Sequence, residues 1–230
     1  DILREDSVMY DGPFELEPYP PVEGGCRTEV VDEDCIEAAR RMVGEGYDVA
    51  ILNMASRSHP GGGVETGAGA QEEQLCRRSN LILSLYQFSP EKVRQYPELA
   101  LGRKEGHYPM HPEWGGIHSP CVTFFREDES KGYALMDEPF TAGVVSVAAL
   151  NRPALTPSGT LTEKDERTTR RKVETILRIA LENGYDCVVL GALGCGAYGN
   201  PPSHVARIFH DVLREEEFED QFRRVVFAIL

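Results

Sequence analysis

The sequence predicts an α/β domain built around a largely parallel or mixed β-sheet. Short apolar runs of strand length alternate with helix-length amphipathic segments along the 230 residues. Two of these runs, YDVAILNMA and YDCVVLGAL, are each followed by a glycine-rich loop and then a helix. In open α/β sheets such loops lie at the carboxyl ends of the strands, where ligands bind. No repeat and no internal linker interrupts the pattern, so a single domain over residues 1–230 is expected.

Residues 1–25, rich in proline and glycine, read as an extended arm with turns. CRTEVVDED offers a short strand over 28–31. The stretch DEDCIEAARRMVGEG is a helix that Asp32 or Asp34 caps and Gly44 or Gly46 ends, with Ile36, Ala39 and Val43 on one face. After the strand YDVAILNMA and the first glycine loop comes AQEEQLCRRSNLILSLYQF. It reads as one helix, with Leu75, Ser79, Ile82 and Tyr86 sharing a face that Leu81 and Leu85 broaden. Residues 88–116 read as an irregular excursion. IHSPCVTFFRE and AGVVSVAAL are strands, and NRPALTPSGTLT is a loop. A second strong helix over EKDERTTRRKVETILRIALENG turns Val173, Ile176, Leu177 and Ala180 inward and ends at Gly184. The strand YDCVVLGAL, the loop GCGAYGNPP, the helix SHVARIFHDVLREEEF and the strand RRVVFAIL complete the chain.

Composition narrows the function. A formal net charge of −14 argues against non-specific DNA binding and against docking on anionic membranes. It leaves room for a phosphate ligand held by backbone N–H groups. No apolar run approaches the roughly 20 residues of a membrane span. The start, DILREDSVMY, lacks the basic-then-apolar pattern of a secretory signal, so an intracellular, cytoplasmic or nuclear location is expected. The six cysteines, at 26, 35, 76, 121, 187 and 195, include no CxxC pair and read as reduced thiols. His107 and His111 are separated by Pro109, which argues against a helical metal-binding pair, so no metal is expected.

The chemistry concentrates in the two loops. Each feeds a helix N-terminus with its unpaired N–H groups and partial positive charge, so side by side they would form a backbone anion site. The second, Gly194-Cys195-Gly196-Ala197-Tyr198-Gly199, is a literal GxGxxG. It lies near the end of the chain, and the strand after it finishes in FAIL with no acid, so a dinucleotide-binding fingerprint fails by position. A plain strand-to-helix turn is the other reading. In the first loop, Glu72 and Glu73 either favour a helix start, with Glu73 reaching Arg77, or aim a carboxylate back into the ligand site. A catalytic acid there needs burial or a neighbouring charge to offset the helix terminus, which lowers carboxyl pKa values.

Pro60-Gly61-Gly62-Gly63, seven residues and then Gln71-Glu72-Glu73, together with GALGCGAYGNPP, resembles the microbial branch of the poly(ADP-ribose) glycohydrolases over about residues 30–230. The resemblance implies a macrodomain, a three-layer fold with a mixed sheet between helices, and needs no cofactor. It implies that Glu73 is the catalytic acid and that Glu72 orients ribose hydroxyls, with Gln71 in support. Gly61, Gly62, Gly63 and Val64 would run along the diphosphate and distal ribose. Gly194, Cys195, Gly196, Ala197 and Gly199 would wrap the diphosphate, and Tyr198 would pack on ribose. Asp34 is a candidate for the adenine amino group, with helix capping as its alternative. Animal members carry Phe-Ala-Asn before the glycines where this chain has Met54-Ala55-Ser56. Ser56 is therefore a shorter candidate contact, and Asn53 another. The implied partners are poly(ADP-ribose) and ADP-ribosylated proteins, with ADP-ribose as product, acted on by a monomer. A binding module of the same fold without turnover is the rival, and the paired glutamates argue against it.

Overall fold

The computed structural model describes residues 2–17, 20–99 and 105–230. Seven strands form one sheet: β1 (Val8–Tyr10), β2 (Arg27–Val31), β3 (Val49–Met54), β4 (Gly116–Arg126), β5 (Leu135–Val147), β6 (Cys187–Leu190) and β7 (Arg224–Ala228). Their spatial order is β1-β4-β5-β3-β6-β7-β2. The β1–β4 and β4–β5 pairs are antiparallel, and the remaining pairs are parallel.

Strand alternation explains the three layers. Along β3, Ile51 faces one core while Ala50 and Leu52 face the other, and Val189 and Val188 divide the same way in β6. One core is closed by α2 (Cys35–Gly44), α3 (Gln71–Arg78) and α4 (Leu81–Leu85) through Ile36, Ala39, Met42, Leu75, Leu81 and Leu85. The other is closed by α6 (Glu163–Glu182) and α7 (Pro202–Val212), with Val173, Ile176, Leu177, Ala180, Ile208 and Phe209 inward. Of the two candidate caps of α2, Asp34 serves: its carboxylate accepts from the N–H groups of Ile36 and Glu37. Among the described residues, no helix is long and apolar enough to cross a membrane.

Four local expectations need correction. The N-terminal arm is not simply extended: α1 (Ile2–Glu5) and β1 build it into the sheet edge beside β4. The helix after the first glycine loop breaks between α3 and α4. Ser79 takes an extended conformation, its hydroxyl donates to the Leu75 carbonyl, and it accepts from the Leu81 N–H. Asn80 meanwhile exchanges bonds with the main chain of Thr123. Side chains that bond nearby backbone compete with helix continuation. The excursion contains α5 (Pro90–Gln95), capped by the Ser89 hydroxyl. Strand β5 starts at Leu135, well ahead of the apolar run that signalled it, because its first half projects in a hairpin with β4.

Candidate active site

Strand β3 ends at Met54, and the chain then runs through the first glycine loop into α3. Gln71 fastens the two ends together. Its amide donates to the Leu52 carbonyl at 2.6 Å and accepts from the Met54 N–H at 2.8 Å. This clamp places Glu72 and Glu73, both buried, in the first turn of α3.

Two N–H groups of the glycine loop turn toward these carboxylates. Gly61 donates to Glu72 at 3.2 Å, and Gly63 donates to Glu73 Oε1 at 2.7 Å. Gly62 donates to the His59 carbonyl. The described structure uses all three amides to hold side chains and turn the loop. A close backbone approach is still what requires glycine. A Cβ on Gly62 (φ +58°) would lie 2.4 Å from Glu73 Oε1, and one on Gly61 would lie 2.5 Å from Ile82 Cδ1.

The two glutamates differ in their surroundings. Glu72 also accepts from the Ser56 N–H at 2.7 Å and from the Asn53 amide at 3.4 Å, so each of its oxygens has an N–H donor. Burial pushes its carboxyl up to about 8, against the pull of Ser56, Asn53 and Gly61 and with a further rise from Glu73. Glu73 Oε2 is buried and has no partner among the described residues. Arg77, the alternative partner, instead bonds the carbonyls of Ala68 and Val64.

The second loop does present free amides. Its own turns use the N–H groups of Cys195, Gly199 and Asn200, while those of Gly196, Ala197 and Tyr198 have no acceptor among the described residues. Successive free N–H groups make a concavity suited to anions. Buried Asn200 holds the loop in place by donating to the carbonyls of Leu150 and Gly194. At Gly194 a Cβ would meet Ala149 and the Asn200 amide at 2.5 Å.

Both loops line a cavity of about 860 Å³. Of the candidates, Ser56, Gly62, Gly63, Val64, Gln71, Glu72, Glu73, Gly194, Gly196, Ala197 and Tyr198 line it. Asn53, Gly61, Cys195 and Gly199 are not among the lining residues, and Gly199 is exposed to solvent. Asn53 acts by bridging Glu72 and Ser146. Asp34 lies outside the lining, and its Oδ1 binds buried Arg78 at 2.8 Å while capping α2, so the capping alternative describes its contacts. Burial raises the Tyr198 phenol, and Glu72 and Glu73 add to the rise against a hydrogen bond with Ser56. Among the described residues, no group of three or more His, Cys, Asp or Glu side chains is placed to hold a metal.

Sequence reasoning missed Asn200, whose position before two prolines signals a turn and nothing more. It also missed Glu65, Tyr86 and Lys92, which line the cavity together and are brought near one another by the fold alone.

A family model, the microbial-type PARG catalytic domain, matches residues 3–127. The chain belongs to the microbial-type poly(ADP-ribose) glycohydrolase family. Among solved structures of the family, the Thermomonospora curvata poly(ADP-ribose) glycohydrolase bound to the inhibitor ADP-HPD is 38% identical; the match covers 90% of this chain and 74% of that one, with a TM-score of 0.72. A further structure of the T. curvata enzyme gives 37% identity, coverage of 93% and 73%, and a TM-score of 0.74. The Deinococcus radiodurans enzyme in complex with ADP-ribose is 29% identical, with coverage of 99% and 89% and a TM-score of 0.73. Among curated proteins, none matches by sequence. Membership agrees with the macrodomain-like layering of the sheet and helices.

Proposed function

We propose that Glu73 is the proton donor and acceptor in the hydrolysis of ribose–ribose O-glycosidic bonds of poly(ADP-ribose), the reaction of this family. The observation that carries the assignment is the asymmetry of its carboxyl. Oε1 is fixed by the Gly63 N–H, while Oε2 is buried without a partner beside the cavity. A proton on Oε2 meets no competing N–H donor.

The substrate diphosphate is taken by the free N–H groups of Gly196, Ala197 and Tyr198. The scissile bond then meets Glu73. Glu73 gives its proton to the leaving 2′-oxygen as the C–O bond breaks, and the anomeric carbon takes on oxocarbenium character. The diphosphate's negative charge stabilises that carbon. Water attacks it and returns a proton to Glu73, releasing ADP-ribose. Glycosidases commonly use two carboxylates. Here both Glu72 oxygens already accept hydrogen bonds, so Glu72 orients sugar hydroxyls and shapes the site while Glu73 moves the proton.

The test measures ADP-ribose release from poly(ADP-ribosyl)ated protein by wild type and by Glu73→Gln, with calorimetric ADP-ribose binding by both. Release that disappears in the variant while binding persists supports the assignment. Binding without release by wild type overturns it in favour of a reading module.

A further inference from the structure

On the acid's side of the cavity stands a cluster that proton transfer at Glu73 does not use. Glu65 sits on the 3-10 turn Val64–Thr66, two residues beyond Gly63. Its carboxylate accepts from the Tyr86 hydroxyl at 2.5 Å and pairs with Lys92 Nζ at 2.6 Å. The same ammonium lies 4.9 Å from the Tyr86 ring centroid. Lys92 comes from α5, so the ion pair ties the end of the glycine loop to the excursion. Among the described residues lining the cavity, Lys92 is the one lysine or arginine, set against Glu65, Glu72, Glu73 and Glu91.

The position defines what the cation meets. The free N–H groups for the retained diphosphate lie on the second loop. The scissile bond lies at Glu73, whose Oε1 is held by Gly63. A polymer that continues past Glu73 along the first loop next reaches Glu65 and Lys92. The piece that continues is the unit carrying the leaving 2′-oxygen, which is itself phosphorylated.

We propose that Lys92 is a specificity-determining contact for a phosphate of the leaving ADP-ribose unit, and that Glu65 holds the ammonium in place until polymer arrives. This rests on the reading of Glu73 as the site of bond cleavage. The Glu65 side chain is half exposed, so the pair is weak enough for a phosphate to compete for the ammonium. Tyr86 keeps its hydrogen bond to Glu65 when the ammonium changes partner. The contact favours substrates that carry charge beyond the bond being broken, which free ADP-ribose does not.

The test compares wild type, Lys92→Met, Glu65→Gln and the double variant on purified poly(ADP-ribose) over a range of salt concentrations, with calorimetric ADP-ribose binding alongside. Lys92→Met is expected to raise KM for polymer about fivefold, the scale of one exposed charge contact. The salt dependence of log KM should flatten by on the order of 0.7, the loss of one phosphate contact on a flexible strand. ADP-ribose affinity should stay at the wild-type value, and the double variant should keep the raised KM. An unchanged KM overturns the proposal, as does ADP-ribose affinity weakened as much as KM. A double variant restored to wild type also overturns it, because Lys92 then only neutralises Glu65. Polymer binding by Lys92→Met in a Glu73→Gln background makes the test independent of turnover. Absent turnover in wild type overturns the reading of Glu73, whereas unchanged polymer binding there overturns the role of Lys92.

Discussion

The amide of Gly63 holds one oxygen of Glu73 at 2.7 Å and leaves the other buried without a partner among the described residues. Backbone thus holds the carboxyl proposed to move the proton, and backbone displacement is what should disable it. Gly62→Ala puts a methyl group 2.4 Å from the held oxygen at a residue with φ +58°. We expect a loss of about 100-fold or more in kcat, the scale of an ångström of misplacement at a reacting group. Steady-state kinetics beside a thermal melt check it, because Gly62 contributes little to either core and the melt should move far less than the rate.

Gln71 joins α3 to β3 through Leu52 and Met54. Gln71→Ala leaves the carbonyl of buried Leu52 and the N–H of half-buried Met54 without their partner. The expected cost is about 1–3 kcal/mol for each such unsatisfied group. Denaturant titration reads it directly. A variant as stable as wild type would show that the clamp is replaced by water.

Glu72 has a distinct pH signature. Its folded carboxyl is raised to about 8 from an ordinary value of 4.5. Between those values the folded chain binds a proton that the unfolded chain has released. The contribution is therefore fully present below about 4.5 and lost as pH rises through 8, with a limiting slope of about 1.4 kcal/mol per pH unit. Stability measured from pH 5 to 9 should fall more steeply in wild type than in Glu72→Gln. Equal slopes would mean that the three N–H donors keep Glu72 ionised throughout.

Asn200 tests the second loop separately. Asn200→Ala removes both carbonyl contacts that hold Gly194 against Leu150. ADP-ribose affinity should weaken by about tenfold, as expected when a preorganised anion site must be ordered on binding. Calorimetry decides it: unchanged affinity would mean that the free amides of Gly196, Ala197 and Tyr198 are held by other contacts.

The layers of the fold were legible because both cores rest on periodicity. Ile36 and Ala39 in α2, and Val173, Ile176, Leu177 and Ala180 in α6, face inward as their spacing predicts. The break at Ser79 and Asn80 was hidden because its cause is non-local: Asn80 bonds Thr123, over forty positions away. Strand β1 was hidden because three residues carry no periodicity, and only β4 makes them a strand. The site divides in the same way. Paired glutamates after glycines announce themselves, whereas the direction of each glycine N–H depends on where the carboxylates fold back. Glu65, Tyr86 and Lys92 meet through tertiary structure alone.

The holding of Glu72 and Glu73 by the amides of Ser56, Gly61 and Gly63 bears on inhibitor resistance. A drug that copies the sugar and diphosphate would meet geometry set largely by main chain, which no codon change deletes outright. Escape by point substitution would have to shift the loop itself, and the glycines that permit its path are the residues least able to change while turnover survives. Point substitutions that confer resistance should therefore be few, and should spare the glycines that form the cavity's floor.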